Sequence, residues 1–254
     1  MNIYSVIQVK NSLFLKSYLK IPVTLNTNTQ FLVIICLLLS FSNTILAQST
    51  YQVGGLPSIN LNYKLEKKWS LNFKIESRQL LQKGTFNGDS NKSFEYVLTD
   101  YSLIAAKKSG LNSRISGGYL FRFREGEATH RFIQQYTIIQ QLPRLRLAHR
   151  VVTDQTFSSA EATEYRLRYR LATELPLNGQ SADPKEFYLK IGNEYISSVQ
   201  NSDYDIEIRF VPLLGYAMTE NHKIEFGLDY RVNSFLNHFA RHSFWTTLNW
   251  FIEL

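Results

Sequence analysis

The chain has 254 residues, 28 Lys and Arg against 21 Asp and Glu, and a single cysteine, Cys36. This length fits one ordinary domain or two small ones, and one cysteine excludes disulfides and Cys-ligated metal sites elsewhere. Hydrophobic residues make up 44% of the chain, too many for a disordered protein. The aromatic content of 14% favours a strand-rich structure.

The N-terminus has the layout of an export signal. Three lysines and no acidic residue precede an apolar run at residues 31–39, and the small residue Ala47 follows it. This order is typical of a secretory signal peptide. We therefore expect residues 1–47 to be a signal peptide and residues 48–254 to form one domain. An uncleaved membrane anchor is the alternative, although the apolar run is short for a span.

The net charge argues against a nucleic-acid partner. Cleavage after Ala47 removes three lysines and no acid, so 25 basic and 21 acidic residues remain, a formal charge of +4. A balance this mild is poor evidence for binding a polyanion, and we predict no nucleic-acid partner.

After residue 51 apolar and polar residues alternate, which is the period of a strand with two different faces. In residues 165–171 Tyr and Leu occupy the odd positions and Arg the even ones. The pattern marks eleven strands, at about residues 59–66, 69–81, 93–107, 111–124, 130–142, 145–157, 163–176, 186–196, 204–218, 222–233 and 241–254. Bacterial outer-membrane barrels have an even strand number, so residues 49–54 are predicted to be a twelfth strand.

The alternation fits a soluble sandwich with charges outside, or a membrane barrel with charges inside. Strand lengths of 11 residues or more, the aromatic density and the export signal favour the barrel. The links between strands alternate between short and long, as periplasmic turns and external loops do, with one exception, the longer link at residues 178–185. Aromatic residues near strand ends are predicted to lie at the membrane interfaces: Tyr119, Phe121, Trp245 and Trp250. The predicted fold is an all-β, closed antiparallel transmembrane β-barrel of about 12 strands.

Four short segments resemble a known outer-membrane family: residues 130–135 (HRFIQQ), 144–150 (RLRLAHR), 165–170 (YRLRYR) and 193–194 (NE). In order and spacing they are similar to domain of unknown function 2490 over most of residues 59–254. The resemblance implies an exported β-barrel in the outer membrane of a Gram-negative bacterium, and it implies no activity. Its partners are then outer-membrane lipid, and the barrel-assembly machinery during biogenesis.

The predicted inner face carries many charges. On the strand pattern we expect the following residues to line the lumen: Arg131, Arg146, Arg150, Arg166, Arg168, Arg170, Glu174, Glu194, Asp205, Glu207, Arg209, Glu225, Asp229 and Arg231. A basic and an acidic wall could select and orient a small charged solute. The same charges could instead pair across a narrow barrel and fill it, because arginine suits internal carboxylate pairing. The sequence thus predicts a porin-like narrow channel or a structural barrel.

A barrel enzyme that hydrolyses or transfers lipid acyl chains is the competing class. It needs a Ser or Thr nucleophile within reach of a His base. His242 and Ser243 are adjacent, but neighbouring strand residues point to opposite faces. His149 shares the parity of apolar residues and is expected to face outward. We assign no catalytic residue, no metal ligand and no cofactor.

Overall fold

The computed structural model describes residues 49–65, 68–159, 161–234, 236 and 239–254; the expected signal peptide lies outside them. These residues form eleven strands and no helix. The strands are β1 (Thr50–Lys64), β2 (Trp69–Thr85), β3 (Ser90–Lys108), β4 (Ser113–Arg124), β5 (Glu127–Leu142), β6 (Leu145–Ser158), β7 (Glu164–Pro176), β8 (Phe187–Gln200), β9 (Asp203–Ala217), β10 (His222–Asn233) and β11 (Arg241–Glu253). Among the described residues, no helix has the length and apolar character needed to cross a membrane.

The eleven strands close into one barrel. Each strand pairs with the next in antiparallel fashion, and β1 pairs with β11 in parallel. The prediction of a closed all-β barrel is confirmed. The strand number is eleven in the described part of the chain rather than about twelve, and the sheet is mixed rather than wholly antiparallel. An odd number of up-and-down strands necessarily brings the first and the last into parallel register.

The strand count differs because residues 49–54 do not form a strand of their own. Residues 50–54 are the beginning of β1, which continues without a break to Lys64. The pair Gly54-Gly55 lies within this strand. In the fold, a Cβ at Gly54 would lie 2.2 Å from the Gln79 backbone oxygen and 2.5 Å from the Trp245 ring. Glycine therefore allows close approach of neighbouring strands at this point, and not a turn.

The barrel is apolar outside and charged inside. In the described residues 41 large apolar side chains are exposed, whereas only eleven apolar residues are buried. Along β7, Tyr165, Leu167 and Tyr169 are exposed, and the intervening arginines are half-buried in the interior. The predicted alternation of faces is thus present, with the polar face turned inward.

Links after β2, β4, β6, β8 and β10 lie at one end of the barrel, here called the even-link end; the others lie at the odd-link end. The predicted alternation of link lengths is wrong. The β4–β5 and β8–β9 links at the even-link end, which were expected to be long, have two residues each. The β7–β8 link at the odd-link end has ten residues, as its expected exception required. Strands extend into segments that the sequence predicted to be loops. They do so because the backbone N–H and C=O groups of these segments form hydrogen bonds with a neighbouring strand.

One predicted interface aromatic lies inside the barrel instead. Trp245 is 2% exposed and packs with Leu56 and Leu80, and Val97 adjoins this interior apolar cluster. Trp250 is on the outer face and is 40% exposed. The difference follows from parity, since residues 245 and 250 of one strand point to opposite faces.

Candidate functional site

The barrel encloses a cavity of about 680 Å³, lined by side chains from all eleven strands. Its lining runs from Asn62, Arg114 and Glu174 near the odd-link end to Glu207 and Arg231 beyond the middle. The inward residues closest to the even-link end are not part of this lining. On most strands the cavity therefore lies toward the odd-link end, but on β4, β7 and β10 it reaches within two residues of the even-link end, at Arg122, Arg166 and Arg231.

A continuous network of ion pairs crosses five strands of the interior, β5 to β9. Fully buried Asp154 on β6 accepts a hydrogen bond from Arg166 Nε at 2.7 Å, and Arg131 Nε lies 3.6 Å away. Arg168 bridges Asp154, at 3.4 Å, and Glu194, at 2.7 Å. The second oxygen of Glu194 lies 3.5 Å from Arg209, which also pairs with Glu207. We call this network, Arg131, Asp154, Arg166, Arg168, Glu194, Arg209 and Glu207, the ionic chain.

Separate ion pairs cover the rest of the inner wall. Arg122 donates two bonds of 2.7 Å to Asp100, and Arg231 donates bonds of 2.8 and 2.7 Å to Asp229. Glu225 accepts from Lys190 at 2.7 Å and from the Tyr188 hydroxyl at 3.0 Å. The bidentate geometry of arginine with carboxylate makes such pairs strong and directional. Removing one partner would leave an uncompensated buried charge.

Thirteen of the fourteen residues expected to line the lumen contact this cavity. The exception is Asp205, near the even-link end of β9. Its two carboxylate oxygens accept hydrogen bonds of 3.1 Å from the backbone amide of Ser234. Asp205 thus holds the start of the β10–β11 link.

The strand pattern missed several charged residues of the interior: Lys74, Glu76, Arg78, Asp100, Arg114, Arg122, Asp154 and Lys190. A signal for Asp154 was present, because it shares the parity of Arg146 and Arg150 on the same predicted strand. The strand pattern could not show which arginine pairs with Asp154. Asp154 meets Arg166 because β6 and β7 pair in one particular register.

The cavity carries an excess of positive charge. Thirteen basic and seven acidic residues line it, and Asp154 adds one carboxylate behind them. The resulting excess of five positive charges is larger than the whole net charge of residues 48–254, which is +4. The basic character of the domain is therefore concentrated inside the barrel.

Three of the described histidines, His130, His149 and His242, pair with tyrosines and not with serines. The Tyr169 hydroxyl and His149 Nδ1 are 2.8 Å apart, as are the Tyr230 hydroxyl and His242 Nδ1, and Tyr119 pairs with His130 in the same way. The Ser243 hydroxyl accepts instead from the Gln52 amide at 2.7 Å. In the described part of the chain, no three His, Cys, Asp or Glu side chains group as metal ligands.

A closed β-barrel with an apolar outer face and an ion-paired interior cavity is the class of protein that these features define. The family model described as "Protein of unknown function (DUF2490)" matches residues 54–243, and the chain belongs to this family. The resemblance seen in the arginine-rich strands is thereby confirmed. No curated protein matches the chain, and no solved structure matches it.

Proposed function

We propose that this chain is an outer-membrane β-barrel of a Gram-negative bacterium whose interior is a narrow pathway for small anions. The observation that carries the proposal is the inverted distribution of residues: apolar side chains outside, and a cavity with more basic than acidic residues inside. Outer-membrane lipid and the barrel-assembly machinery are the proposed partners of the folded and the folding chain.

The outer face supports a membrane location. A soluble monomer rarely exposes apolar patches beyond a few hundred Å², and here apolar side chains are exposed around the whole barrel. Exposed aromatic residues occur near both ends, with Trp69, Phe187 and Trp250 at the odd-link end and Tyr165 and Tyr204 at the other. Strands of 12 to 19 residues exceed the 9 to 11 or so that cross a bilayer when tilted.

The inner face supports passage of anions. Charged rings in a pore select the counter-charge, and arginine and lysine favour anions. Most carboxylates of the cavity are already bound by arginine, so they attract cations weakly. The uncompensated charge that a solute meets is therefore positive.

The test is conductance of residues 48–254, refolded in detergent and inserted into a planar bilayer under a salt gradient. We expect discrete steps and a reversal potential of the sign given by anion selectivity. A shift in gel mobility on boiling shows whether the barrel has folded. A folded barrel without steps would overturn the channel and favour a filled structural barrel.

A matched pair of variants links selectivity to the cavity. Arg114 and Lys107 lie near the odd-link end on neighbouring strands, but Arg114 lines the cavity and Lys107 lies against the outer-face Trp69 ring, 5.2 Å from its centroid. Arg114→Glu is expected to move the reversal potential toward cations, and Lys107→Glu to leave it unchanged. Equal shifts in both variants would contradict a pathway through the cavity.

A further inference from the structure

Three arginines of the cavity, Arg114, Arg150 and Arg170, differ from its other basic residues. Each of the other ten has a carboxylate within 4 Å. These three have neither an ion pair nor a side-chain hydrogen bond with any residue in the described part of the chain. They remain available to something from outside the chain.

Arg150 and Arg170 lie directly opposite each other on β6 and β7, and both line the cavity. Like charges in directly opposed positions destabilise a sheet. The natural partner would be Glu194, which is opposite Arg170 on β8. However, Arg168 and Arg209 already bind its two oxygens. The fold thus places two cationic residues directly opposite each other, while the carboxylate opposite Arg170 pairs with other arginines.

The absence of a side chain at Gly192 leaves room for the side chain of Arg170. A Cβ added to Gly192 on β8 would lie 3.3 Å from Arg170 Nη2 and 3.6 Å from Nε. The guanidinium of Arg170 therefore lies across the backbone of a residue that has no side chain. Arg114 continues the same cross-strand row, separated from Arg150 only by Thr137.

We propose that Arg150 and Arg170 form a binding site for a soluble phosphate-type oxyanion. Each guanidinium group presents a planar fork of N–H donors, which is the geometry that arginine uses for phosphate. A dianion matches the charge of both groups and removes their repulsion, whereas a monocarboxylate compensates only one. Arg114 supplies a third positive charge toward the odd-link end, along the approach to the pair.

This site deepens the proposed function, because it is the point at which a passing anion would bind. Its test is a measurement of phosphate binding in detergent. This measurement detects the site whether or not the barrel conducts ions. Loss of conductance with retained binding would contradict only the channel. Loss of binding with retained conductance would contradict only the site.

The experiment titrates inorganic phosphate into refolded residues 48–254 by calorimetry, in an uncharged detergent free of lipid. We expect saturable binding of one phosphate per barrel, with acetate binding at least tenfold more weakly. Arg150→Gln and Arg170→Gln should each weaken phosphate binding tenfold or more. Both variants should also unfold at higher temperature than the unmodified barrel without phosphate, because each removes the repulsion.

The matched control is Arg146→Gln. Arg146 lines the same cavity on the same strand, but Glu174 lies 3.8 Å from it. Phosphate binding should change less than twofold in this variant. Equal weakening in Arg146→Gln and Arg170→Gln, or no saturable binding by the folded barrel, would overturn the site. Binding of a short-chain phosphatidic acid but not of inorganic phosphate would assign the arginines to a lipid headgroup and overturn the soluble ligand.

Discussion

Asp154 illustrates how much one side chain matters in the interior of this barrel. Its carboxylate is fully buried and lies among three guanidinium groups, those of Arg131, Arg166 and Arg168. Burying a charge is costly unless partners compensate it. Here the single carboxylate compensates the burial of several cations, so the arginines depend on it as much as it depends on them.

We expect Asp154→Asn to lower the free energy of unfolding by about 3–5 kcal/mol, because it leaves buried cations without their counter-charge. The measurement is urea unfolding of the barrel refolded into lipid vesicles. Glu174→Gln is the matched control. Glu174 is more exposed and has a looser contact with Arg146, 3.8 Å, so its loss should cost about 0–1 kcal/mol. Equal stability of the two variants would contradict the central place of Asp154 in the ionic chain.

Within strands, glycines mark places where the inner wall is crowded. A Cβ at Gly215 on β9 would lie 2.1 Å from the Tyr188 ring, which is 1% exposed and lies over that glycine. The Tyr188 hydroxyl then reaches Glu225. On β4, Gly118 is crowded in the same way, because a Cβ there would lie 2.7 Å from Ile104, whereas the position of Gly117 is open.

Gly215→Ala should destabilise the barrel by about 1–3 kcal/mol, because the tyrosine ring must leave its position and lose the bond to Glu225. Urea unfolding measures this change. Gly117→Ala is the control, since its Cβ would meet no heavy atom closer than 4.0 Å. We expect an effect within about 0.5 kcal/mol there. A tolerated alanine at Gly215 would mean that Tyr188 does not pack as described.

For the whole molecule, the closure of the barrel is the feature most open to direct test. β1 and β11 run parallel, with Leu61 opposite Ile252 and Val53 opposite Phe244. The two ends of the described chain consequently lie at opposite ends of the barrel. An even-stranded barrel would place them at the same end.

The double variant Leu61→Cys/Ile252→Cys should form a disulfide on oxidation, because opposed residues of adjacent strands have the Cα separation that a disulfide requires. The native Cys36 lies outside residues 48–254, so no other thiol competes. A non-reducing gel detects the cross-linked form. Leu61→Cys/Phe244→Cys should not cross-link, and the reverse outcome would contradict parallel closure.

The sequence by itself determined the class of fold and which residues lie on each of the two faces of the strands. Alternation of apolar and polar residues is a local property of an extended backbone, so parity placed residues such as Arg168 and Glu194 on the polar face. Strand length, aromatic density and the export signal then predicted that this face points inward. The arginine-rich segments also carried the resemblance to the family. None of these inferences required knowing which strands are neighbours.

Tertiary structure decided the strand count, the parallel pairing of β1 with β11 and the pairing of charges. These depend on register between strands that are distant in sequence, and register is set by the whole closed sheet rather than by any one segment. The chain provides more arginines than carboxylates on its inner face, but only the register determines which remain unpaired. In the observed register, Glu194 pairs with Arg168 and Arg209, and Arg150 lies opposite Arg170 without a carboxylate partner among the described residues.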